Sequence, residues 1–382
     1  MIYLAGDNNL SDEMIWALKE IYRVGTGNSC NVFVQFDPSS PHYGPRRYDI
    51  GRLERIVQAT ADVDGIVELA LLKEALVPTS NPEDSSDPAV LEDFLEWTFS
   101  QTEMRTDHYM LILSGHGSGA GGYFLQDSNP AGNLTIVEFG RVLRDVCRGE
   151  RKIDILGLDC CAMSTAELGY EVSEIVDYIV GAEGFTQNAG WPYHRLLEIM
   201  RKDPSPDELA KELAGGYFLY YSDYLAAEVS ADQAAVHLAS AEWKELIKNF
   251  RDLSEKLNEK LRQNNEIVKR ALIVAHWEAQ SFEYEQNIDL YDFCLCLKAQ
   301  LEGEPEIQNT CTAITDKLWW SKIVPLSLYS GPEYQHAHGI SLYFPWAEVS
   351  ARTQSRSEAS PASLPRYPST AVTSTKSRAE RR

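Results

Sequence analysis

The chain has 382 residues, 44% of them hydrophobic, enough for a well-buried core in one large or two modest domains. A formal net charge of −22 argues against binding to a phosphate backbone and suits a protein that attracts basic peptides, so nucleic acid is not an expected partner. No apolar run reaches the roughly eighteen residues of a membrane-spanning helix, and no membrane is expected either.

Seven cysteines, at 30, 147, 160, 161, 294, 296 and 311, are odd in number and thinly spread, unlike a disulfide framework. The N-terminus, Met1-Ile2-Tyr3-Leu4-Ala5-Gly6, carries no basic leader and no small-residue cleavage site. Together these features set a cytoplasmic, reducing environment as the expectation, with secretion open if a leader is missing.

In chain order, Ile2 to Ala5 and Asn31 to Phe36 read as strands joined by a helix over Leu10 to Tyr22. Arg46 to Val57 reads as a hairpin beside the main sheet, turning near Gly51. Pro78 to Pro88 is a polar, acidic loop, and Val90 to Thr98 has amphipathic helical spacing. Tyr109-Met110-Leu111-Ile112-Leu113 is continuously apolar, as a parallel strand buried on both faces must be, and it stops at Ser114-Gly115-His116-Gly117. Thr135 with Glu138 forms a capping box for a helix through Val146. A strand over Ile153 to Leu158 stops at Asp159-Cys160-Cys161. A helix over Ala162 to Val176 and a strand over Tyr178 to Ala182 then complete a βαβαβ rhythm.

Beyond that point the pattern is mostly helical, clearest at Pro206 to Tyr221 and Ser240 to Arg262, until Ile340 to Phe344 regains β character. From Ala351 the composition turns to Ser, Thr, Pro, Ala and Arg, which predicts a disordered tail. The expected division is 1–200 for an α/β core, 201–345 for a mostly helical region that returns a strand near 340–344, and 346–382 for the tail.

Two buried strands each end on a reactive residue, His116 on a Gly-flanked turn and Cys161 ahead of a helix. One right-handed crossover puts both carboxyl ends on the same sheet edge, where open α/β folds hold their sites. A cysteine at a helix N-terminus near an imidazole has a lowered pKa and a larger thiolate fraction. The amides of Gly117 and Cys161 are candidate oxyanion donors, and His116 a candidate proton donor to a leaving amine. Each residue alone has a plainer reading, since free cysteines are usually small buried hydrophobes and most histidines are not catalytic. A strained vicinal Cys160–Cys161 pair is a further alternative.

The motifs Tyr3-Leu4-Ala5-Gly6-Asp7-Asn8-Asn9-Leu10, Ser114-Gly115-His116-Gly117 and Leu158-Asp159-Cys160-Cys161-Ala162-Met163-Ser164 resemble those of clostripain-like C11 cysteine peptidases, in the clan that holds caspases, legumains and gingipains. Gly190-Trp191-Pro192-Tyr193, Ile288-Asp289-Leu290-Tyr291-Asp292-Phe293 and Gly339-Ile340-Ser341-Leu342-Tyr343-Phe344-Pro345 extend the resemblance to Pro345. It implies a caspase-like α/β/α sandwich with a mostly parallel central sheet and an added mostly helical C-terminal region. It also implies an endopeptidase working through a Cys-His dyad and an acyl-enzyme.

Where the family reads Asp-Ala-Cys this chain has Asp159-Cys160-Cys161, so Cys161 takes the nucleophile position and Cys160 the alanine slot. Strand alternation exposes only one of the two, which leaves the reverse assignment as the alternative. The resemblance places Asp159 at the base of the primary specificity pocket, implying a basic residue, Arg or Lys, before the cleaved bond. A helix-capping role is the plainer reading of Asp159. Glu183, Thr186 and Trp191 fall in the family's pocket-wall loop, though Trp191 could equally be core packing. Asp7, Asn8 and Asn9 would contribute to the site or form an Asx turn.

Some relatives use calcium, but the acidic residues here lack EF-hand spacing, and no other cofactor or metal is expected. Self-cleavage between His116 and Cys161 has few basic candidates, because Asp127 to Asn133 contains no Lys or Arg. A switched intracellular effector with an activating partner, and a catalytically silent binding protein on the same scaffold, are the competing readings.

Overall fold

The computed structural model describes residues 1–27, 30–39, 46–51, 84–102, 106–149, 151–221, 230–318 and 322–345. In chain order its first strands are β1 (Ile2–Gly6), β2 (Phe33–Pro38), β3 (Arg46–Asp49), β4 (Met110–Ser114), β5 (Phe124–Ser128) and β6 (Ala131–Leu134). They are followed by β7 (Ile153–Asp159), β8 (Val176–Gly181), β9 (Ala231–His237), β10 (Asn287–Asp289), β11 (Leu326–Ser330) and β12 (Ser341–Tyr343).

Eight of these make one sheet in the order β11-β9-β8-β7-β4-β1-β2-β3. The five central strands, β8 to β2, run parallel, while β3 pairs antiparallel at one edge and β9 with β11 antiparallel at the other. The crossover rhythm of the first half produces that parallel core, because each helix must return the chain to the same end of the sheet.

Side-chain alternation explains the continuously apolar runs. In β1, Ile2 and Leu4 join one hydrophobic core while Tyr3 and Ala5 join the other; in β4, Met110 and Ile112 oppose Leu111 and Leu113 in the same way. On the first face lie α1 (Ser11–Val24), α5 (Tyr193–Met200) and α6 (Pro206–Tyr220). The second face carries α2 (Pro88–Thr102), α3 (Ile136–Val146) and α4 (Ala166–Val172). The expected α/β/α sandwich is therefore present.

Helices α7 (Ala241–Arg262), α8 (Glu266–Glu278), α9 (Leu290–Gln300) and α10 (Pro305–Leu318) continue the second face outward through residues such as Phe250, Phe293 and Ile314. The Trp243 ring of α7 packs so closely on Gly169 of α4 that a Cβ there would lie 2.7 Å from it. The region after residue 200 also supplies β9 and β11, so one continuous sheet runs across that position.

The predicted capping box holds, with Thr135 Oγ1 accepting from the Glu138 amide at 3.1 Å and Glu138 Oε2 accepting from the Thr135 amide at 3.0 Å. Other expectations shift. The helix read over Ala162 to Val176 begins only at Ala166, because Ala162 adopts φ 58° and the segment after Cys161 hydrogen-bonds to the chain that leaves β8. The segment at 46–57 contributes β3 against β2, while its second arm after Gly51 lies outside the described residues, as do 78–83 of the acidic loop and the tail from 346. Hairpin β5–β6 was not predicted.

Candidate active site

Register along the parallel core sets the site. Ser114, the last residue of β4, pairs with Asp159, the last residue of β7, and Leu4 of β1 pairs with Ser114 from the other side. The segments beyond these ends carry Asn9, His116 and Cys161. His116 and Cys161 then line the same open cleft, of about 450 Å³, together with Asp159 and Thr186. The two strand ends meet as the crossover requires.

His116 is half-buried, and its Nε2 lies 2.7 Å from Asn9 Oδ1. Asn8 makes the Asx turn, its Oδ1 accepting from the Leu10 amide at 2.9 Å, and its Nδ2 ties the turn to Gln126 O at 2.8 Å. The two roles weighed for this segment thus fall on adjacent residues. With the amide oxygen as acceptor, Nε2 holds the imidazole proton and Nδ1 is the basic nitrogen. Burial lowers the pKa of His116, which favours the neutral ring.

Both cysteines border the cleft, but their thiols differ. Cys160 is 1% exposed and its thiol donates to Leu113 O at 3.2 Å, inside the sheet. Cys161 faces the cleft; the Thr186 amide donates to its Sγ at 3.4 Å, and the thiol donates back to Thr186 O at 3.6 Å. Burial raises the Cys161 pKa, the Thr186 amide opposes that, and the nearby charges of Asp159, Glu283 and Asp232 add to it. The expected help from a helix N-terminus does not materialise. Helix α4 starts five residues later, and its first turn is capped by Thr165 Oγ1, which accepts from the Leu168 amide at 3.1 Å. Thiol and imidazole therefore both favour their neutral forms.

Gly117 packs against the Cys160–Cys161 segment so tightly that a Cβ would sit 2.5 Å from Cys161 O and 3.0 Å from Cys160 Cβ. Among the described residues the amides of Gly117 and Cys161 donate to no protein acceptor. Motif Gly339 to Pro345 supports this loop from behind, with Ser164 Oγ donating to Gly339 O at 2.7 Å and the Ser341 amide donating to Ser164 O at 2.9 Å.

Asp159 forms the floor of the cleft. Its Oδ2 accepts from Ser114 Oγ and from Tyr193 OH, each at 2.9 Å, while Oδ1 is buried without a hydrogen bond. Burial raises its pKa, and the Ser114 and Tyr193 hydroxyls, with the Trp191 amide, hold it down. Gly190, at φ 70°, keeps the wall clear, since a Cβ there would come within 2.9 Å of Oδ2. Asp159 is not a helix cap, because that part falls to Thr165.

Thr186 lines the cleft as expected, and its hydroxyl donates to Cys160 O at 3.1 Å. Glu183 does not reach it. This residue is fully buried, with Oε2 accepting from the Gly339 amide at 2.6 Å, and burial together with the charges of Asp289 and Asp232 pushes its pKa well up. Trp191 is also outside the cleft, its ring packed on Gly157, where a Cβ would meet it at 3.1 Å. A one-residue difference in a loop is enough to turn a side chain from the cleft into the core. The sequence reading did not single out Ser114 or Tyr193 individually, although both stand inside motifs it quoted.

The clostripain family model matches residues 2–344. The chain belongs to the clostripain family of C11 cysteine peptidases. Clostripain of Hathewaya histolytica is 25% identical over 229 residues, covering 53% of this chain and 41% of that protein, so this chain spans under half of the curated relative it matches. A secreted C11 cysteine protease from Bacteroides thetaiotaomicron, solved with an irreversible peptide inhibitor, superposes with a TM-score of 0.65 at 16% identity, covering 92% of this chain and 94% of the other. An inactive zymogen C11 protease from Parabacteroides distasonis gives 0.63 at 19% identity, covering 94% of each chain.

These solved structures share the C11 fold. The secreted Bacteroides relative lends no support to the cytoplasmic setting expected from the N-terminus and cysteine usage. Among the described residues no group of three or more His, Cys, Asp or Glu is arranged to hold a metal ion, and no helix is long and apolar enough to cross a membrane.

Proposed function

We propose that this C11 family member is an endopeptidase that cleaves after Arg or Lys, with Cys161 as nucleophile and His116 as acid and base. The observation that carries the substrate class is Asp159. It lies 5% exposed beside the Cys-His pair, with one carboxylate oxygen unpaired, and among the described residues no Lys or Arg lines the cleft. A basic side chain entering the cleft supplies the missing donors and the compensating charge, and an acidic one meets an uncompensated carboxylate.

In the first step Cys161 Sγ attacks the scissile carbonyl carbon while its proton passes to His116 Nδ1. The oxyanion forms beside the free amides of Gly117 and Cys161. The carbon–nitrogen bond then breaks as His116 returns the proton to the departing amine, leaving an acyl-thioester. Water, deprotonated by His116, hydrolyses that ester and restores the thiol. Asn9 keeps Nε2 protonated throughout, so that Nδ1 carries every transfer.

The test compares the wild-type protein with Cys161→Ala and Cys160→Ala on peptides carrying Arg before the scissile bond. Cys161→Ala is expected to abolish turnover and Cys160→Ala to retain most of it. The reverse pattern overturns the nucleophile assignment. A wild-type protein that neither cleaves such peptides nor is labelled by an arginyl active-site electrophile points to the catalytically silent scaffold.

A further inference from the structure

The cleft has a second carboxylate. Leu10 and the α1 residues Glu13, Met14 and Ala17 line the cleft opposite the sheet, and their spacing places them on one helical face. Leu10, Met14 and Ala17 are buried and apolar, so Glu13 is the polar member of an otherwise greasy wall.

An acidic residue in the first turn of a helix is ordinarily explained by the helix dipole. Asp12 meets that description here, being exposed in the same turn. Glu13 instead faces the cleft, half-buried, and among the described residues it makes no hydrogen bond or ion pair. Two carboxylates thus line one cleft, and neither is neutralised from within. Asp159 at the floor keeps Oδ1 unpaired, and among the described residues no Lys or Arg lines the cleft.

Such a pair is complementary to a cation with donors on more than one edge. A guanidinium is a planar fork of five N–H groups, able to bond the floor carboxylate along one edge and a wall carboxylate along another. An ammonium is a compact charge that engages chiefly one of them. We infer that Glu13 is a specificity-determining residue, a wall carboxylate that selects Arg over Lys before the scissile bond. This rests on the reading of Asp159 as the anchor for a basic residue.

The experiment measures kcat and KM for wild type, Glu13→Gln and Asp159→Asn on matched peptides that differ only in Arg, Lys or citrulline before the cleaved bond. Wild type prefers Arg to Lys and barely turns over citrulline. Glu13→Gln lowers kcat/KM on the Arg peptide about tenfold, equivalent to about 1.4 kcal/mol, mainly through KM, and changes the Lys peptide less than about threefold. Asp159→Asn depresses both basic substrates.

A wild-type Arg preference that survives intact in Glu13→Gln, with the melting temperature unchanged, overturns the role of Glu13 while leaving Asp159 as the anchor. An equal loss on Arg and Lys peptides also overturns it, since the wall carboxylate would then sense charge and not shape. A wild-type enzyme that favours citrulline overturns the basic-residue reading and this inference with it.

Discussion

Asn9 Oδ1 and His116 Nε2 stand 2.7 Å apart although they lie 107 positions apart in the chain, and with the amide oxygen as acceptor this contact leaves Nδ1 as the basic nitrogen. Asn9→Ala is expected to lower kcat roughly ten- to hundredfold with little change in KM, because a freely rotating, mixed-tautomer ring is seldom aligned with Sγ. Asn9→Asp places a carboxylate against the ring and raises the His116 pKa. With the neutral ring as the proposed base, the acidic limb of kcat/KM then moves to higher pH. A pH–rate profile checks both variants, and unaltered profiles would remove Asn9 from the positioning role.

Asp232 holds the loop that presents Thr186 to Cys161. Its carboxylate accepts from the Glu183 amide at 2.6 Å and from the Gly184 amide at 2.9 Å, deep in the protein. Asp232→Ala strands two buried donors, which costs roughly 2–6 kcal/mol at 1–3 kcal/mol for each. Activity should fall as well, because Thr186 brackets Cys161 Sγ through its own amide and carbonyl. Thermal melts and turnover on an Arg peptide measure the two effects. A variant that melts and turns over like wild type would show that the loop holds itself.

Asp37, near the end of β2, gives a stability signature. Burial raises it most, followed by the charges of Asp127 and Asp7, to about 8 from an ordinary 3.8. A carboxyl raised in the folded state contributes stability in full below its unfolded pKa, and that contribution is lost as pH rises to about 8. Within that window the loss from this group is at most about 1.4 kcal/mol per pH unit. The melting temperature of wild type should therefore drop from pH 5 to pH 8 relative to Asp37→Asn, whose amide keeps a donor for Asp127 and does not ionise. Parallel melting curves for the two proteins would refute the shift.

Much of this arrangement was legible along the chain, and the failures are specific. The continuously apolar run at Met110 to Leu113 and the apolar-rich run at Ile153 to Leu158, broken by Asp154 and Gly157, announce buried strands, and His116, Cys161 and Asp159 follow at their ends. Ala231–His237, by contrast, contains Asp, Gln and three alanines, and nothing local marks it as a strand. It becomes one by pairing with β8, burying nearly every residue. The helix read from Ala162 onward failed because local propensity ignores the competing hydrogen bonds from Ala162 to Gly184 and from Ser164 to Ala182.

The sequence by itself determined the parallel core, the order of its strands' reactive ends and the residue types available for nucleophile, base and pocket floor, because hydrophobic periodicity and strand termini are local properties of the chain. Only the tertiary structure decided which cysteine faces the cleft, that Asn9 reaches His116, that Glu13 joins Asp159 in the cleft while Glu183 turns into the core, and that no helix terminus assists Cys161. Those outcomes depend on which distant segments share the same few ångströms, and side-chain direction there changes with a single residue of register.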